Sequence, residues 1–294
     1  MITEIAPAPE RVTSPPTRAR KKRRAWDEVP RRHIYVPLAV YLLFTLVPFY
    51  WILLFALRPA GSTSLVPWPM TFDHFEKVWN ERAFGTYFQN SVLVGLATLV
   101  MTTLVALAGG YALARFDFRI KKGFMLALLC TQFVPGALLL VPLFEIFANL
   151  RMINSLGSVI LAETVFQLPL SMILISGFIR NVPYSLEEAA WVDGCNRFTA
   201  FRIVVLPLLR PGLIAVGSFA FVHAWNHFLF ALMFLSDQGK QTIPVGLNTL
   251  MSADSVDLGA LAAGGIIAAV PVVIVFAFIQ KWLITGFSAG AVKG

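Results

Sequence analysis

Six long apolar segments dominate this sequence of 294 residues and restrict what it can fold into. A transmembrane helix needs roughly 20 apolar residues, because a rise of about 1.5 Å per residue must cover about 30 Å of hydrocarbon. Each segment is a continuous apolar run rather than the alternating pattern of a membrane strand. The segments are residues 34–57, 87–114, 123–148, 155–177, 211–236 and 258–285. The sequence therefore predicts an all-α integral membrane protein with six transmembrane helices.

The composition agrees with this class. Hydrophobic residues make up 57% of the chain and charged residues 14%, whereas an ordinary soluble domain has about 45–50% and about 25%. One water-soluble core cannot enclose that much apolar surface.

Basic residues predict the orientation, because Lys and Arg beside a span stay on the cytoplasmic side. With six spans, 19 of the 24 Lys and Arg residues fall on the side of the N-terminus. We therefore expect both termini in the cytoplasm. Residues 1–33 are predicted to be a disordered basic tail that orients the first helix. The alternative is that the tail binds nucleic acid or anionic lipid. Of these two, we expect membrane lipids to be partners of the chain and nucleic acid not to be.

A nucleotide site is not complete in this sequence. A phosphate-binding loop needs Gly five residues before its Gly-Lys pair and Ser or Thr after it. Gly239-Lys240 is such a pair, but Phe234 and Gln241 occupy the other two positions. The chain is therefore not expected to hydrolyse ATP or to bind a cofactor itself.

Two histidines four residues apart raise the question of a metal site. His223 and His227 share one face of the fifth predicted span. The metalloprotease motif with this spacing needs Glu after the first His, and Ala224 stands there. We interpret the pair as polar packing groups, with a membrane-embedded metalloenzyme as the alternative.

Polar side chains inside the spans are costly, so each is a functional hypothesis. Glu163 and Gln167 lie four apart in the fourth span, Gln132 lies in the third, and Asn226 follows Trp225 in the fifth. Such groups beside an aromatic face could line a path for a sugar, or they could be contacts between helices. An ion-coupled carrier acting alone is a further alternative. It would need several acidic residues deep inside the spans, and Glu163 is the only one in the sequence.

The segment between the fourth and fifth spans, residues 180–212, is too patterned to be a simple connection. Ser185 and Glu188 have the spacing of a capping box, which predicts the start of a short helix. Gly194 can end that helix in a left-handed turn. A second amphipathic helix is predicted for residues 197–206, before a proline. Its apolar residues at helical spacing are Phe198, Phe201 and Val205.

This segment closely resembles the EAA loop in permease subunits of binding-protein-dependent ABC importers. The residues that carry the likeness are Glu188-Ala189-Ala190, Asp193-Gly194, Phe201, Ile203, Leu206-Pro207 and Pro211-Gly212. Other segments are similar to the maltose-type carbohydrate subfamily: Asn90-Ser91, residues 110–116, Ala224-Trp225-Asn226 and residues 290–294. The likeness covers residues 34–294, and Cys195 departs from it where the family usually has Ala.

The resemblance implies a non-catalytic permease subunit of an ATP-driven importer for disaccharides or other oligosaccharides. The chain would lie in a bacterial inner membrane and form half of the translocation path beside a homologous permease subunit. Two ATP-binding subunits that use ATP and Mg²⁺, and an extracytoplasmic sugar-binding protein or lipoprotein, would complete the complex. Import of glycerol 3-phosphate or another sugar derivative by the same fold is the alternative.

The resemblance also assigns roles to residues. The short helix would dock in a groove on the ATPase, with Glu188 and Gly194 as coupling residues and two alanines giving close approach. The full predicted coupling set is Glu188, Ala189, Ala190, Asp193, Gly194 and Phe201. The predicted substrate path contains Gln132, Glu163, Gln167, Trp225 and Asn226.

Overall fold

The computed structural model describes residues 31–252 and 256–291, with side chains for 33–252 and 256–280. All regular secondary structure in these ranges is helical. The helices are α1 (Arg31–Leu57), α2 (Asp73–Glu76), α3 (Phe84–Arg115), α4 (Lys121–Thr131), α5 (Leu140–Asn149), α6 (Leu156–Arg180), α7 (Tyr184–Val192), α8 (Arg197–Ala200), α9 (Leu206–Leu208), α10 (Arg210–Asn226), α11 (Leu229–Phe234), α12 (Ile243–Met251) and α13 (Leu258–Ala291). Single π turns follow α2 (Lys77–Glu81) and α8 (Phe201–Val205), and 3₁₀ turns occupy Gly136–Leu139 and Gln238–Lys240.

The chain divides into two compact units, Met1–Phe49 and Tyr50–Gly294. Within the described residues, the first unit is the beginning of α1, whose side chains from His33 onward are exposed. Most of the predicted basic tail, residues 1–33, lies outside the described residues, and its last three residues belong to α1. The second unit contains all the features discussed below.

Four of the described helices are long and apolar enough to cross a bilayer, namely α1, α3, α6 and α13. Two bent helix pairs raise the number to six if each pair crosses once. One pair joins α4 to the helix at Gly136–Asn149 with a bend of 95°, and the other joins Arg197–Leu208 to α10 with a bend of 73°. The predicted all-α class is confirmed, with four to six spans.

The third and fifth predicted spans are not single continuous helices. The third breaks after α4, where Pro135 has an extended backbone (φ −61°, ψ 125°), because proline lacks an N–H and disfavours helix in the residue before it. The fifth breaks at His227, which is also extended (φ −77°, ψ 120°). No proline lies there; instead the His227 imidazole contacts the buried carboxylate of Glu163.

Small residues let the central helices approach closely. A Cβ on Gly110 of α3 would lie 2.7 Å from Cγ2 of Ile175 in α6, and a Cβ on Gly95 would lie 2.8 Å from the Phe221 ring in α10. Ala106, one turn before Gly110, is fully buried. Close packing at small residues is how membrane helices associate, since lipid provides no hydrophobic drive between them.

Contacts between connecting segments sort the helix ends into two groups. At one end, Lys77 after α2 lies 2.9 Å from Asp257 before α13, and Asn90 near the start of α3 donates to the carbonyl oxygens of Gly239 and Gln241. At the other end, Arg115 at the end of α3 meets the segment after α6. This grouping agrees with the prediction from the basic residues that successive loops alternate between the two sides of the membrane.

Candidate coupling loop and polar cleft

The helix α7 begins two residues earlier than a capping box at Ser185 would allow. Pro183 stands at its N-cap position with φ −57° and ψ 129°, and no side chain caps the first turn. Ser185 therefore lies inside the helix, and the predicted capping box of Ser185 and Glu188 is wrong. The physical reason is that the fixed φ of proline already positions the chain for a helix that starts at Tyr184.

The end of α7 matches the prediction. Gly194 is left-handed with φ +88°, its N–H donates to the Trp191 carbonyl at 3.0 Å, and the Cys195 N–H donates to the Ala190 carbonyl at 2.9 Å. These two bonds form a Schellman motif, which satisfies carbonyls that a helix end leaves free. The left-handed glycine stop is confirmed.

A buried ion pair holds α7 against the end of α3. Oε1 of Glu187 accepts a hydrogen bond from Nε of Arg115 at 2.6 Å, and Oε2 accepts one from the Tyr111 hydroxyl at 2.7 Å. The same guanidinium donates to the Val182 carbonyl at 2.9 Å. Glu187 is almost fully buried and Arg115 largely so. Sequence analysis missed this pair, although Tyr111 and Arg115 lie four apart on one helix face and so predict a shared partner.

The predicted coupling residues fall into two groups by exposure. Glu188, Ala189, Asp193 and Gly194 lie on the exposed side of α7 and its terminal turn. Ala190 is buried against the chain itself. Phe201 also faces inward, with its ring edge on Tyr111 at a centroid distance of 5.0 Å. The exposed four form a surface that another protein can reach.

The second helix of the loop runs further than predicted. It passes from α8 through the π turn into α9 and ends at Leu208, so Pro207 does not stop it. Pro207 stands in the first turn of α9, where its missing N–H is tolerated. Val205 is buried, as the helical spacing predicted, whereas Phe198 is 73% exposed.

Glu163 forms a second polar cluster with the two histidines of α10. Its carboxylate is fully buried. Nδ1 of His223 lies 3.0 Å from Oε2 in a hydrogen bond. Nδ1 of His227 lies 2.6 Å from Oε1, although this contact does not have hydrogen-bond geometry. The histidines interpreted as packing groups are therefore organised around a single carboxylate.

This cluster forms part of the wall of a cleft of about 420 Å³. The cleft is lined by Gln167, Leu170, Phe219, Val222, His223, Asn226 and His227. The structure thus brings together three predicted path residues, with Gln167 and Asn226 on the wall and Glu163 behind it.

The other two predicted path residues lie elsewhere. Trp225 is buried on another face of α10, where its Nε1 donates to the Ala268 carbonyl at 3.0 Å and its ring stacks on Phe221. Gln132 lines a separate cavity of about 300 Å³ beside Phe166 and Pro169. Helical periodicity alone could not separate these positions, because the breaks in the third and fifth spans change which faces meet.

Comparison with known proteins places the chain in a family. Residues 105–288 match the family described as "Binding-protein-dependent transport system inner membrane component". The chain is 36% identical over 262 residues to the diacetylchitobiose uptake system permease protein DasC of Streptomyces coelicolor, covering 87% of this chain and 95% of DasC. It is 31% identical over 256 residues to the trehalose transport system permease protein SugB of Mycobacterium tuberculosis, covering 85% and 93%.

A solved structure shares the fold. A chain in the crystal structure of a bacterial ABC transporter involved in the import of alginate aligns with a TM-score of 0.72 at 20% identity, covering 85% of this chain and 97% of that one. The family match and these similarities confirm the resemblance inferred from the EAA loop. The chain belongs to the family of binding-protein-dependent transport system inner membrane components.

Proposed function

We propose that this chain is the permease subunit of an ATP-driven carbohydrate importer, forming half of the translocation path and coupling to an ATPase through residues 180–212. The observation that carries the proposal is the contrast within α7. Glu188 and Gly194 are exposed at its surface, while Glu187 anchors its inner side to α3. A carbohydrate substrate is supported by the relatives named for diacetylchitobiose and trehalose uptake.

The complex requires further subunits. A homologous permease subunit completes the path, and two ATP-binding subunits use ATP and Mg²⁺. A sugar-binding protein delivers the substrate from outside. One solved relative supports the last partner, because it is a bacterial alginate ABC transporter in complex with a pentasaccharide-bound periplasmic protein.

Coupling follows from the way α7 is held. A motion of the ATPase that displaces Glu188 and Gly194 moves α7 as a rigid piece, because its end is closed by the Schellman motif. The bond from Glu187 to Arg115 passes that displacement to α3, which packs closely on α6 at Gly110. Rigid-body shifts of packed helices are a common means of switching access to a transport path.

The membrane arrangement completes the proposal. One span of the inner membrane is formed by α4 with the helix at Gly136–Asn149 and another by α10, giving six spans with the EAA loop, residues 180–212, between the fourth and fifth. Both termini lie in the cytoplasm, as the distribution of basic residues favours. For the substrate path, the proposal rests on Glu163, Gln167 and Asn226 at the cleft, while the roles of Gln132 and Trp225 stay predictions.

Transport by reconstituted vesicles tests the function. The chain would be purified with its permease, ATPase and binding-protein partners. Uptake of labelled diacetylchitobiose, trehalose and arabino-oligosaccharides would then be measured with and without ATP. We expect uptake of one such sugar only when every subunit and ATP are present. Uptake by this chain alone, or without ATP, would show an ion-coupled carrier instead.

A further inference from the structure

A fully buried carboxylate beside the cleft needs a balancing charge. The charged partners of Glu163 among the described residues are His223 and His227. An isolated buried charge is strongly unfavourable. The charge-balanced form of this cluster has one imidazolium and one neutral imidazole beside the carboxylate, so that the three side chains together are uncharged.

The carboxylate also fixes which ring nitrogens carry protons. Nδ1 is the nitrogen of each histidine that faces the carboxylate, and an ionised carboxylate only accepts hydrogen bonds, so in the charge-balanced form both Nδ1 atoms carry a proton. Nε2 of the neutral imidazole is then an acceptor, and Nε2–H of the imidazolium is a donor. The described residues provide no hydrogen-bond partner for either Nε2, and the His223 side chain is 47% exposed.

The geometry of the two rings suits a sugar. Their centroids are 5.2 Å apart and their planes differ by 17°, which presents a donor and an acceptor side by side. Neighbouring hydroxyl groups of a pyranose each donate and accept, so they can satisfy both. Phe219, which is 57% exposed, lies on the same wall and offers an aromatic surface for the apolar face of the ring. This is the role that the sequence had suggested for Trp225.

We propose that His223 and His227 form a hydroxyl-binding pair for an uncharged saccharide, with Glu163 as the positioning residue that sets their protons. The inference rests on the proposed function and deepens it, because it names the contacts and the substrate class of the same path. A neutral trio provides no excess positive charge for a sugar carboxylate, so we expect this pair to favour uncharged over acidic oligosaccharides.

The test uses the full importer in proteoliposomes and measures sugar imported per ATP hydrolysed. His223→Ala and His227→Ala should each lower this ratio about three- to tenfold, the loss expected for one or two hydrogen bonds. ATPase stimulation by the sugar-loaded binding protein should persist, because neither residue lies in the coupling loop. Phe276→Leu, at an exposed phenylalanine of α13 outside the cleft, is the control and should leave the ratio unchanged.

Two variants of Glu163 separate positioning from packing. Glu163→Asp keeps the charge and Glu163→Gln keeps the shape. If Glu163 positions the histidines, Glu163→Asp should retain most of the sugar imported per ATP and Glu163→Gln should lose it. If Glu163 serves only in packing, the order of the two variants should be reversed. An unchanged ratio in both histidine variants would overturn the proposal.

Substrate charge gives an independent outcome. The sugars offered would be trehalose, diacetylchitobiose, arabino-oligosaccharides and alginate oligosaccharides, each with the importer's own binding protein. Import of an uncharged sugar is expected, and import of alginate oligosaccharides would overturn the charge argument. Failure of the wild-type complex to import any sugar with ATP would instead refute the proposed function, so the two failures are distinguishable.

Discussion

Glu187 and Glu188 are adjacent in α7 but have opposite surroundings. Glu187 is buried with Arg115 and Tyr111 as partners, whereas Glu188 is exposed. A buried ion pair is costly to break, because removal of one partner leaves the other charge without compensation. Glu187 therefore bears on the stability of the loop, and Glu188 is free to meet another subunit.

Replacement of each glutamate should separate these two effects. Glu187→Ala leaves the Arg115 guanidinium largely buried and unpaired, which should lower the free energy of unfolding by about 3–5 kcal/mol. Glu188→Ala is the matched control and should change it by less than about 0.5 kcal/mol, as for ordinary surface positions. Thermal unfolding of the detergent-purified protein measures both. Equal stability of the two variants would contradict the assignment of the anchor to Glu187.

Substitutions of Gly194 can separate its role in the turn that ends α7 from its proposed contact with the ATPase. Alanine at its φ of +88° should cost about 1–2 kcal/mol, whereas asparagine tolerates the left-handed conformation. A Cβ would meet no atom of the described residues within 4 Å, so we expect any steric obstruction to come from another subunit.

We therefore expect Gly194→Ala to lower stability and Gly194→Asn to leave it nearly unchanged, while both variants reduce sugar uptake. Thermal unfolding and vesicle uptake of the same preparations provide the comparison. Normal uptake by Gly194→Asn would mean that the glycine serves only the turn.

At the scale of elements, Asp257 joins the start of α13 to the segment after α2. Its Oδ1 accepts a hydrogen bond from the Ala260 N–H at 3.0 Å, which makes it a helix N-cap. Its Oδ2 lies 2.9 Å from Nζ of Lys77, and Nδ1 of His74 is 3.8 Å from Oδ1. Partial burial opposes the charge, but the Ala260 amide and Lys77 outweigh it and hold the pKa of Asp257 below its usual value.

This pKa shift predicts a loss of stability in acid. Because the pKa is lower in the folded state, the stabilisation is complete above the unfolded value of about 3.9 and disappears as the pH falls through the folded value. Asp257→Asn keeps a capping oxygen but should lose this pH dependence below about pH 4. Asp257→Ala should in addition cost about 1 kcal/mol at neutral pH. Thermal unfolding as a function of pH checks both, and identical acid profiles for wild type and Asp257→Asn would refute the assignment.

Local features of these elements were predictable from the sequence, and non-local ones were not. The long helices α3, α6 and α13 follow from apolar runs, and the stop at Gly194 follows from one residue. The break at His227 accompanies a contact with Glu163, which lies 64 residues earlier in the chain. No local sequence pattern therefore predicts this break. Glu187 and Arg115 are likewise 72 residues apart, and only the packing of α7 on α3 brings them together.

For the whole molecule, the two groups of helix ends must face opposite sides of the membrane. The contacts of Lys77 with Asp257 and of Asn90 with Gln241 define one end, and the Arg115–Glu187 pair defines the other. The basic residues predict that the second of these ends is cytoplasmic. The exposed residues Ser64 and Ser185 belong to the first and second ends respectively.

Cysteine labelling tests this orientation. In a chain carrying Cys130→Ser and Cys195→Ala, Ser185→Cys should react with a membrane-impermeant maleimide only in inverted vesicles that lack the ATPase. Ser64→Cys should react only in right-side-out spheroplasts. The opposite pattern would reverse the orientation, and reaction of both from one side would contradict the six-span arrangement.

The central claim is that a separate ATPase drives transport by binding the exposed side of α7. Its most direct measurement is sugar uptake by the full importer carrying Glu188→Ala together with Gly194→Asn, with recruitment of the ATPase to the membrane assayed in parallel. The account predicts that the chain still inserts and folds, while ATPase recruitment and uptake both fall to background. Uptake equal to that of the wild type would contradict it.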